Sequence, residues 1–364
     1  MKLETQDLTP VQSVPEPGIP EPAVPETSGT DAAAPDLAVL RAQLEAAGCF
    51  ERKPGRAVAE LLFNLLGSAL AFLAAREAAL AWSVWAGLPL FVLGSFLFYR
   101  NGWLMHDAAH GGSWPGIQAN RRFAALTAGL LGEFPSGWRH GHNRHHARTN
   151  VLGEDWDQRE RWDPTRRYHS RLTAWLGLFL FTRYNGVYLP ATLIFMALRD
   201  GYYCFRHHRE RFAAELLAVL LGLGSQLAFF VLLTGSWLGV LLFLLHTHVG
   251  MLYLNSAFAG NHYDLETFTP EQARQLDVLS LQSRTTRNYA GGWWTHFVFG
   301  GLEKQLEHHL FPHLPRHHLH RAAPYVRAFV AAHGLPYHEA PFWHCYMRVL
   351  DFHVDPRPAA APSA

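Results

Sequence analysis

Cysteine is scarce in this chain of 364 residues, and neither positive nor negative charge is in large excess. Cys49, Cys204 and Cys345 are odd in number and far apart, so they make neither a disulfide framework nor a thiolate iron–sulfur site. The formal net charge is only +1, which gives no sign of a nucleic-acid partner. No period of 20–50 residues repeats, which excludes a solenoid.

The N-terminal stretch has few large apolar residues and no basic start, so we expect no secretory signal. Pro, Glu, Thr and Ala dominate residues 1–36, a composition that cannot bury a core and predicts a disordered tail. A short amphipathic helix over 37–50 follows, with Leu37, Leu40 and Leu44 on one side. Residues 37–364 are then expected to form a single domain.

Four apolar runs are long enough to cross a bilayer as helices, which takes about 20 residues. They cover residues 58–75, 78–99, 213–234 and 237–258. Short breaks at Arg76–Glu77 and Gly235–Ser236 predict two tight hairpins. A fifth stretch, 172–198, carries polar breaks and is expected to lie at the membrane interface. The predicted fold class is an all-α integral membrane protein with four transmembrane helices in two hairpins, interfacial helices and a cytosolic helical cap.

Arginine marks one side of this predicted membrane arrangement. Two hairpins leave every other segment on the same side, and the arginines flanking the runs lie there, whereas the hairpin turns hold a single arginine. By the positive-inside rule that side is the cytosol, and both termini are expected there as well.

Histidine is in excess: the chain has 23, and three clusters fall on the side assigned to the cytosol. They read HDAAH after the second run, HNRHH further on and QLEHH in the C-terminal third. Helix positions i and i+4, or i, i+3 and i+4, share a face, so each cluster can direct its side chains to one region. With the histidine of GNHY after the fourth run, the candidate metal ligands are His106, His110, His142, His145, His146, His262, His308 and His309.

The number of these imidazoles indicates two metal ions. Imidazole suits iron, copper, nickel and zinc, so ligand type leaves the metal open. Eight ligands exceed the four of a zinc site and fit two ions with open positions. A metal-bound imidazole usually donates its other N–H to a carboxylate. The carboxylates expected in that role are Asp107, Glu307, Asp155 and Asp157, although Asp107 and Glu307 could equally be exposed acids.

At these residues the chain resembles the membrane fatty acid desaturase family, over roughly residues 60–340. That family carries H-x-x-x-H, H-x-x-H-H and H/Q-x-x-H-H boxes. The third box here begins with Gln305 and continues as QLEHHLFPHLPRHH, which is similar to the front-end and related bacterial branch. Gln305 stands where other branches have His, so we do not expect it to bind a metal ion directly, and only a contact with the metal-binding imidazoles stays open for it. Glu303 and Lys304 depart from the family, which is often less charged there.

The resemblance implies two iron ions held by the eight histidines, molecular oxygen as oxidant and a fatty-acyl chain in a hydrophobic tunnel. Many front-end members carry a fused haem domain with a His-Pro-Gly-Gly motif, which does not occur in this sequence. We therefore expect an external electron donor, a ferredoxin or a haem protein with its reductase. The expected location is a bacterial cytoplasmic membrane, with the active site in the cytosol and membrane lipids around the spans.

The expected reaction is desaturation of a fatty-acyl chain, on the carboxyl side of the chain's middle. His313, Arg316, His317 and His318 are expected to meet an anionic head group. A hydroxylase, ketolase or acetylenase would use the same metal centre, because the outcome depends on geometry after the first hydrogen abstraction. A metal transporter or receptor would hold its ligands near mid-membrane, whereas these boxes lie beyond the run ends. Chain length and acyl carrier (phospholipid, coenzyme A or acyl carrier protein) stay open.

Overall fold

The described part of the chain is mostly helical. The computed structural model describes residues 36–155, 168–180 and 189–354, with backbone alone over 179–180 and 189–197. Residues 1–35 of the expected tail and Asp157 lie outside these ranges. The helices are α1 (Leu37–Ala46), α2 (Pro54–Ala81), α3 (Val84–Tyr99), α4 (Asn101–Ala109), α5 (Ile117–Leu131), α6 (Pro135–Ala147), α7 (Arg171–Trp175), α8 (Leu189–His207), α9 (Arg209–Thr234), α10 (Leu238–His262), α11 (Pro270–Ala273), α12 (Val278–Thr285), α13 (Trp293–Phe299), α14 (Gln305–Leu310), α15 (Leu319–Ala332) and α16 (Phe342–Val354).

The predicted all-α fold is confirmed apart from one small sheet. Strands β1 (Arg287–Ala290) and β2 (His338–Pro341) pair in parallel, with Arg287 opposite His338. Strands of four residues are too short to show an alternating pattern, so periodicity could not separate them from loops.

The first hairpin turns later in the chain than predicted. Helix α2 runs straight through Arg76 and Glu77, because both residues are good helix formers and each can extend its charged end to the helix surface. The chain reverses instead at Trp82 and Ser83, where the Ser83 side chain caps α3 by accepting a hydrogen bond from the Ala86 amide. Helix α3 is consequently 16 residues long, shorter than the run predicted for the second span.

Three of the described helices are long and apolar enough to cross a membrane: α2, α9 and α10. The turn between α9 and α10 lies where it was predicted, because Gly235 adopts a left-handed conformation (φ 63°) that other residues rarely take. Large apolar side chains on these helices face outward, such as Leu232, which is 81% exposed. An exposed apolar surface of this extent is typical of a membrane protein.

Exposed tryptophans lie at both ends of the apolar helices. Trp82, Trp85 and Trp237 lie at the hairpin turns, while Trp293 and Trp294 stack on each other in α13. Tryptophan prefers the two membrane–water interfaces, so the pattern agrees with a bilayer around the hairpins.

The shorter helices pack where α10 ends. Helix α4 follows α3 after a single residue, Arg100, and α5 packs against α9. The predicted amphipathic helix is α1, whose Leu40 and Leu44 are fully buried against a core shared with α15. This arrangement brings the histidine-bearing helices α4, α6, α10 and α14 together.

Candidate metal centre

All eight predicted histidines meet at the end of α10. They come from four helices: α4 and its C-terminal cap, α6, the last residue of α10, and α14. Their ligand atoms form two adjoining groups, each with all atoms within 4.8 Å of one another. The five-histidine group is His106, His110, His142, His146 and His308, and the three-histidine group is His145, His262 and His309.

Direct contacts between ring nitrogens run through the five-histidine group. The Nε2 atom of His142 lies 3.0 Å from Nε2 of His106 and 3.0 Å from Nε2 of His146. Nε2 of His146 lies 3.1 Å from Nε2 of His308. The ring of Trp138 stacks on His142 at 4.2 Å and fixes that imidazole from one side.

The three-histidine group is held by polar partners on the outer ring nitrogens. Nδ1 of His145 lies 3.0 Å from an Asp155 carboxylate oxygen, and Nδ1 of His262 lies 3.0 Å from the Thr285 carbonyl. Nδ1 of His309 lies 2.9 Å from the Gln282 side-chain oxygen. These contacts leave the Nε2 atoms directed toward the centre of the group, as metal-binding imidazoles require.

Adjacent histidines in the chain belong to different groups. His146 and His308 belong to the five-histidine group, whereas their neighbours His145 and His309 belong to the three-histidine group. Successive helix residues point about 100° apart, whereas His142 and His146 are one turn apart and share a face. The expectation that each cluster directs its side chains to a single region is therefore corrected for HNRHH and QLEHH, because α6 and α14 each supply ligand atoms to both groups.

The same rotation explains where the predicted carboxylates lie. Asp155 contacts a histidine as expected. Asp107 accepts hydrogen bonds from Ser113 Oγ and the Arg316 backbone amide, and Glu307 from Asn288 and the Tyr337 hydroxyl. Each follows or precedes a box histidine by one residue, so its side chain points away from the imidazoles and braces the surrounding loops instead.

Gln305 and Arg316, which lie in and just after the third box, are both buried. Gln305 is buried and lines the cavity beside the histidines. Arg316, expected to meet a head group, is buried and pairs with Glu60 at 2.5 Å, while Glu60 also pairs with Arg100 at 3.0 Å. Arg316 therefore ties the segment after the third box to α2. His313 stacks on Phe50, with centroids 5.4 Å apart.

Burial controls the charge of the centre. Burial, reinforced by the neighbouring imidazoles, holds the pKa of His110, His146, His308 and His309 well below the usual range. These rings are therefore neutral at physiological pH, which is the form that binds a metal.

A cavity opens beside both histidine groups. His106, His142, His145, His262 and His309 contribute to its wall. Apolar side chains make up much of the remainder: Trp103, Met105, Leu131, Met251, Leu254 and Phe258. Polar side chains of Glu133, Asn150, Asn255 and Gln305 also line it. A cavity with a largely apolar surface and convergent polar groups is typical of a small-molecule site.

The residues present fit a pair of metal ions. Nε2 of His110 is buried and has no hydrogen-bond partner in the described part of the chain, an uncompensated cost that a bound ion would remove. The donors are all imidazole nitrogens, which suit iron among other transition metals.

Several residues that shape the centre carry no motif signal. Gln282 contacts His309 and also donates to the His146 carbonyl, and Thr149 Oγ lies 3.2 Å from Nδ1 of His309. Their partners are up to 160 positions away in the chain, so spacing could not reveal them.

The known proteins that are similar to this chain agree on one family. The family described as fatty acid desaturase matches residues 51–341. The Delta(5) fatty acid desaturase fat-4 of Caenorhabditis elegans is 30% identical over 273 residues, which cover 69% of this chain and 59% of that protein. An acyl-lipid (8-3)-desaturase of Rebecca salina is 28% identical over 308 residues, covering 81% and 68%. Delta(8)-fatty-acid desaturase 2 of Arabidopsis thaliana is 26% identical over 282 residues, covering 72% and 62%.

The alignment with the first of these relatives spans about three fifths of that protein's length. All three relatives come from eukaryotes and give no support to the bacterial membrane predicted from the sequence. The family match extends over most of the chain and includes every box histidine. The chain therefore belongs to the fatty acid desaturase family.

Proposed function

We propose that this protein is an oxygen-dependent desaturase that introduces a double bond into a fatty-acyl chain, with two iron ions held by the eight imidazoles. The observation that carries the proposal is the convergence of all eight imidazoles on two adjoining groups, and five of the eight line one cavity with a largely apolar surface. Each group would hold one ion, with His106, His110, His142, His146 and His308 around one and the three-histidine group around the other.

The cavity supports an acyl substrate. Met105, Leu131, Met251, Leu254 and Phe258 offer an apolar surface for methylenes next to the imidazoles. The matched relatives are named as Delta(5), (8-3) and Delta(8) desaturases, which supports a bond position on the carboxyl side of the chain's middle. The head group would remain at the membrane surface, so its distance from the metal centre selects the carbons.

The protein's part in the reaction is binding, orientation and exclusion of water. When bound, the iron pair supplies, with molecular oxygen, the oxidising power needed to remove two hydrogen atoms from adjacent unactivated methylenes. Asp155 and Gln282 orient His145 and His309 through their Nδ1 atoms. The apolar wall keeps water from the site and fixes one carbon–carbon bond near the centre.

Electrons would come from a separate carrier, a ferredoxin or a haem protein with its reductase. Cys49, Cys204 and Cys345 are buried and unlinked, so they offer no thiolate cluster. Two electrons per turnover are needed, because oxygen takes four and the substrate supplies two.

We further propose that α3 crosses the bilayer together with α2, α9 and α10, and that the metal centre faces the cytosol. Residues 37–364 would form one domain, preceded by a tail over residues 1–36. Helix α3 ends close to His106, and α10 ends at His262, so both deliver ligands at the same membrane surface.

The test is expression in a microbial host with a ferredoxin and its reductase, followed by mapping of double bonds in total lipid by mass spectrometry. The proposal predicts new unsaturated chains with a double bond on the carboxyl side. A product that gains an oxygen atom would instead make the protein a hydroxylase. A bond near the methyl end would keep the desaturase but overturn the proposed position.

A further inference from the structure

A third cluster of metal-ligating side chains lies outside the eight imidazoles. His296 comes from α13, Glu303 from the turn that leads into α14, and His320 from the first turn of α15. The three ligand atoms lie within 4.8 Å of one another. We propose that these residues bind one divalent transition-metal ion of the zinc type, separate from the two-ion centre.

The distances suit a bound ion after a small adjustment. One oxygen of Glu303, Oε1, lies 3.0 Å from Nδ1 of His296 and 2.5 Å from Nε2 of His320. In a tetrahedral shell with bonds of about 2.0–2.1 Å, neighbouring ligand atoms are about 3.3 Å apart. Each of these two pairs needs to open by less than about 1 Å, which rotations of the partly exposed imidazoles can supply.

The carboxylate is built into the fold and is not a surface acid. Glu303 is fully buried, and its second oxygen, Oε2, has no hydrogen-bond partner within the described residues. Gly300 and Gly301 adopt left-handed conformations (φ 63° and 98°) in the turn that places it. A buried carboxylate oxygen without a partner carries a desolvation cost that a cation would offset.

The imidazoles leave room for further ligands. The side chains of His296 and His320 are 28% and 39% exposed, so water can reach the open side of the cluster.

Two imidazoles and one carboxylate form a donor set that proteins use for zinc and for non-haem iron. It differs from the two histidine groups, which contain no carboxylate among their ligand atoms. An ion here would join α13 to α15 across the turn that starts α14, the helix carrying His308 and His309. We expect it to hold the third box in place and take no part in the oxidation.

The test uses the full-length protein in detergent, first loaded with iron and then with Zn²⁺ and dialysed against a weak chelator. Zinc and iron are counted per chain in the wild type and in His320→Ala and Glu303→Gln. His344→Ala is the matched control, because His344 is exposed and belongs to none of the three clusters. We expect the wild type and the control to retain about one zinc more than the other two variants.

The iron content separates loss of the site from loss of the fold. It should be the same in all four proteins, and Zn²⁺ should raise the melting temperature of the wild type but not of His320→Ala. The proposal is wrong if the wild type retains no more zinc than His320→Ala. Equal zinc contents would mean that Glu303 is held by two histidines as an ordinary ion-pair network.

Discussion

His145 and His146 are neighbours in the chain, yet they serve different histidine groups. The ring of His146 stacks on that of His309 at 4.2 Å, so the two groups share a boundary of packed imidazoles. In the proposed metal centre, removing one ring would open a coordination position and enlarge the cavity.

At the scale of single residues, replacing His106, His142, His262 or His309 by Ala should abolish desaturation. Each change removes one imidazole from one of the two groups. Double bonds in host lipid, measured by mass spectrometry at matched protein levels, provide the readout. His207→Ala is the control, since His207 is exposed and, among the described residues, its ring stacks on His140 at 4.7 Å and on Tyr203, both outside the groups. Full activity in any two of the four variants would refute the ligand assignment.

Asp155 offers a finer test of the same centre. Its carboxylate contacts Nδ1 of His145 and accepts a hydrogen bond from the Asn150 amide. Asp155→Asn keeps the shape but removes the charge that fixes the histidine tautomer, so metal affinity or activity should fall by about 10–100-fold. Glu154→Gln, which changes the neighbouring acid that pairs with Arg148, should leave both within a factor of about two. Equal effects of the two changes would contradict a specific role for Asp155.

At the scale of elements, the two hairpins determine which side of the membrane each loop occupies. Ser236 lies at the α9–α10 turn, whereas Gln118 and Glu271 lie on the side of the metal centre. All three side chains are exposed, and the native cysteines are buried. Single cysteines at these positions should therefore react with an impermeant maleimide from opposite sides, 236 from one and 118 and 271 from the other. Labelling of all three from one side would overturn the four-crossing arrangement.

The ion-pair network of Glu60, Arg100 and Arg316 links α2, the α3–α4 junction and the segment after the third box. Glu60→Ala leaves two buried guanidinium groups without their carboxylate and should destabilise the protein by about 3 kcal/mol. Glu45→Ala removes an exposed pair with Arg41 and should cost less than about 1 kcal/mol. Thermal unfolding in detergent compares the two, and equal shifts in melting temperature would contradict the role assigned to the buried network.

At the scale of the whole molecule, the sequence predicted those features of the fold and the site that follow from local residue patterns. Apolar length identified α2, α9 and α10, and the spacing of histidines identified seven of the eight imidazoles that the fold gathers. His262 was found from its place directly after the fourth apolar run. It placed the first turn at Arg76–Glu77 because charge was read as a break, although both residues are compatible with a helix that continues to Ala81.

What depends on contacts between distant segments could not be read from the sequence. The division of the histidines into groups of five and three follows from how α6 and α14 are rotated against α10. Asp107 and Glu307 were assigned to the imidazoles by proximity in the chain, whereas the fold turns them toward Arg316 and Tyr337. Gln282 and the cluster around Glu303 were missed for the same reason, since their partners come together only in three dimensions.

The central claim is that the two histidine groups hold one iron ion each. Because the groups differ in the number and arrangement of imidazoles, their irons should differ spectroscopically. The most direct measurement is the Mössbauer spectrum of ⁵⁷Fe-loaded protein, recorded in the His320→Ala variant so that the third cluster does not contribute. The account predicts two quadrupole doublets of about equal area, with one of them lost after His262→Ala. A single iron environment, or a protein that retains no iron, would contradict it.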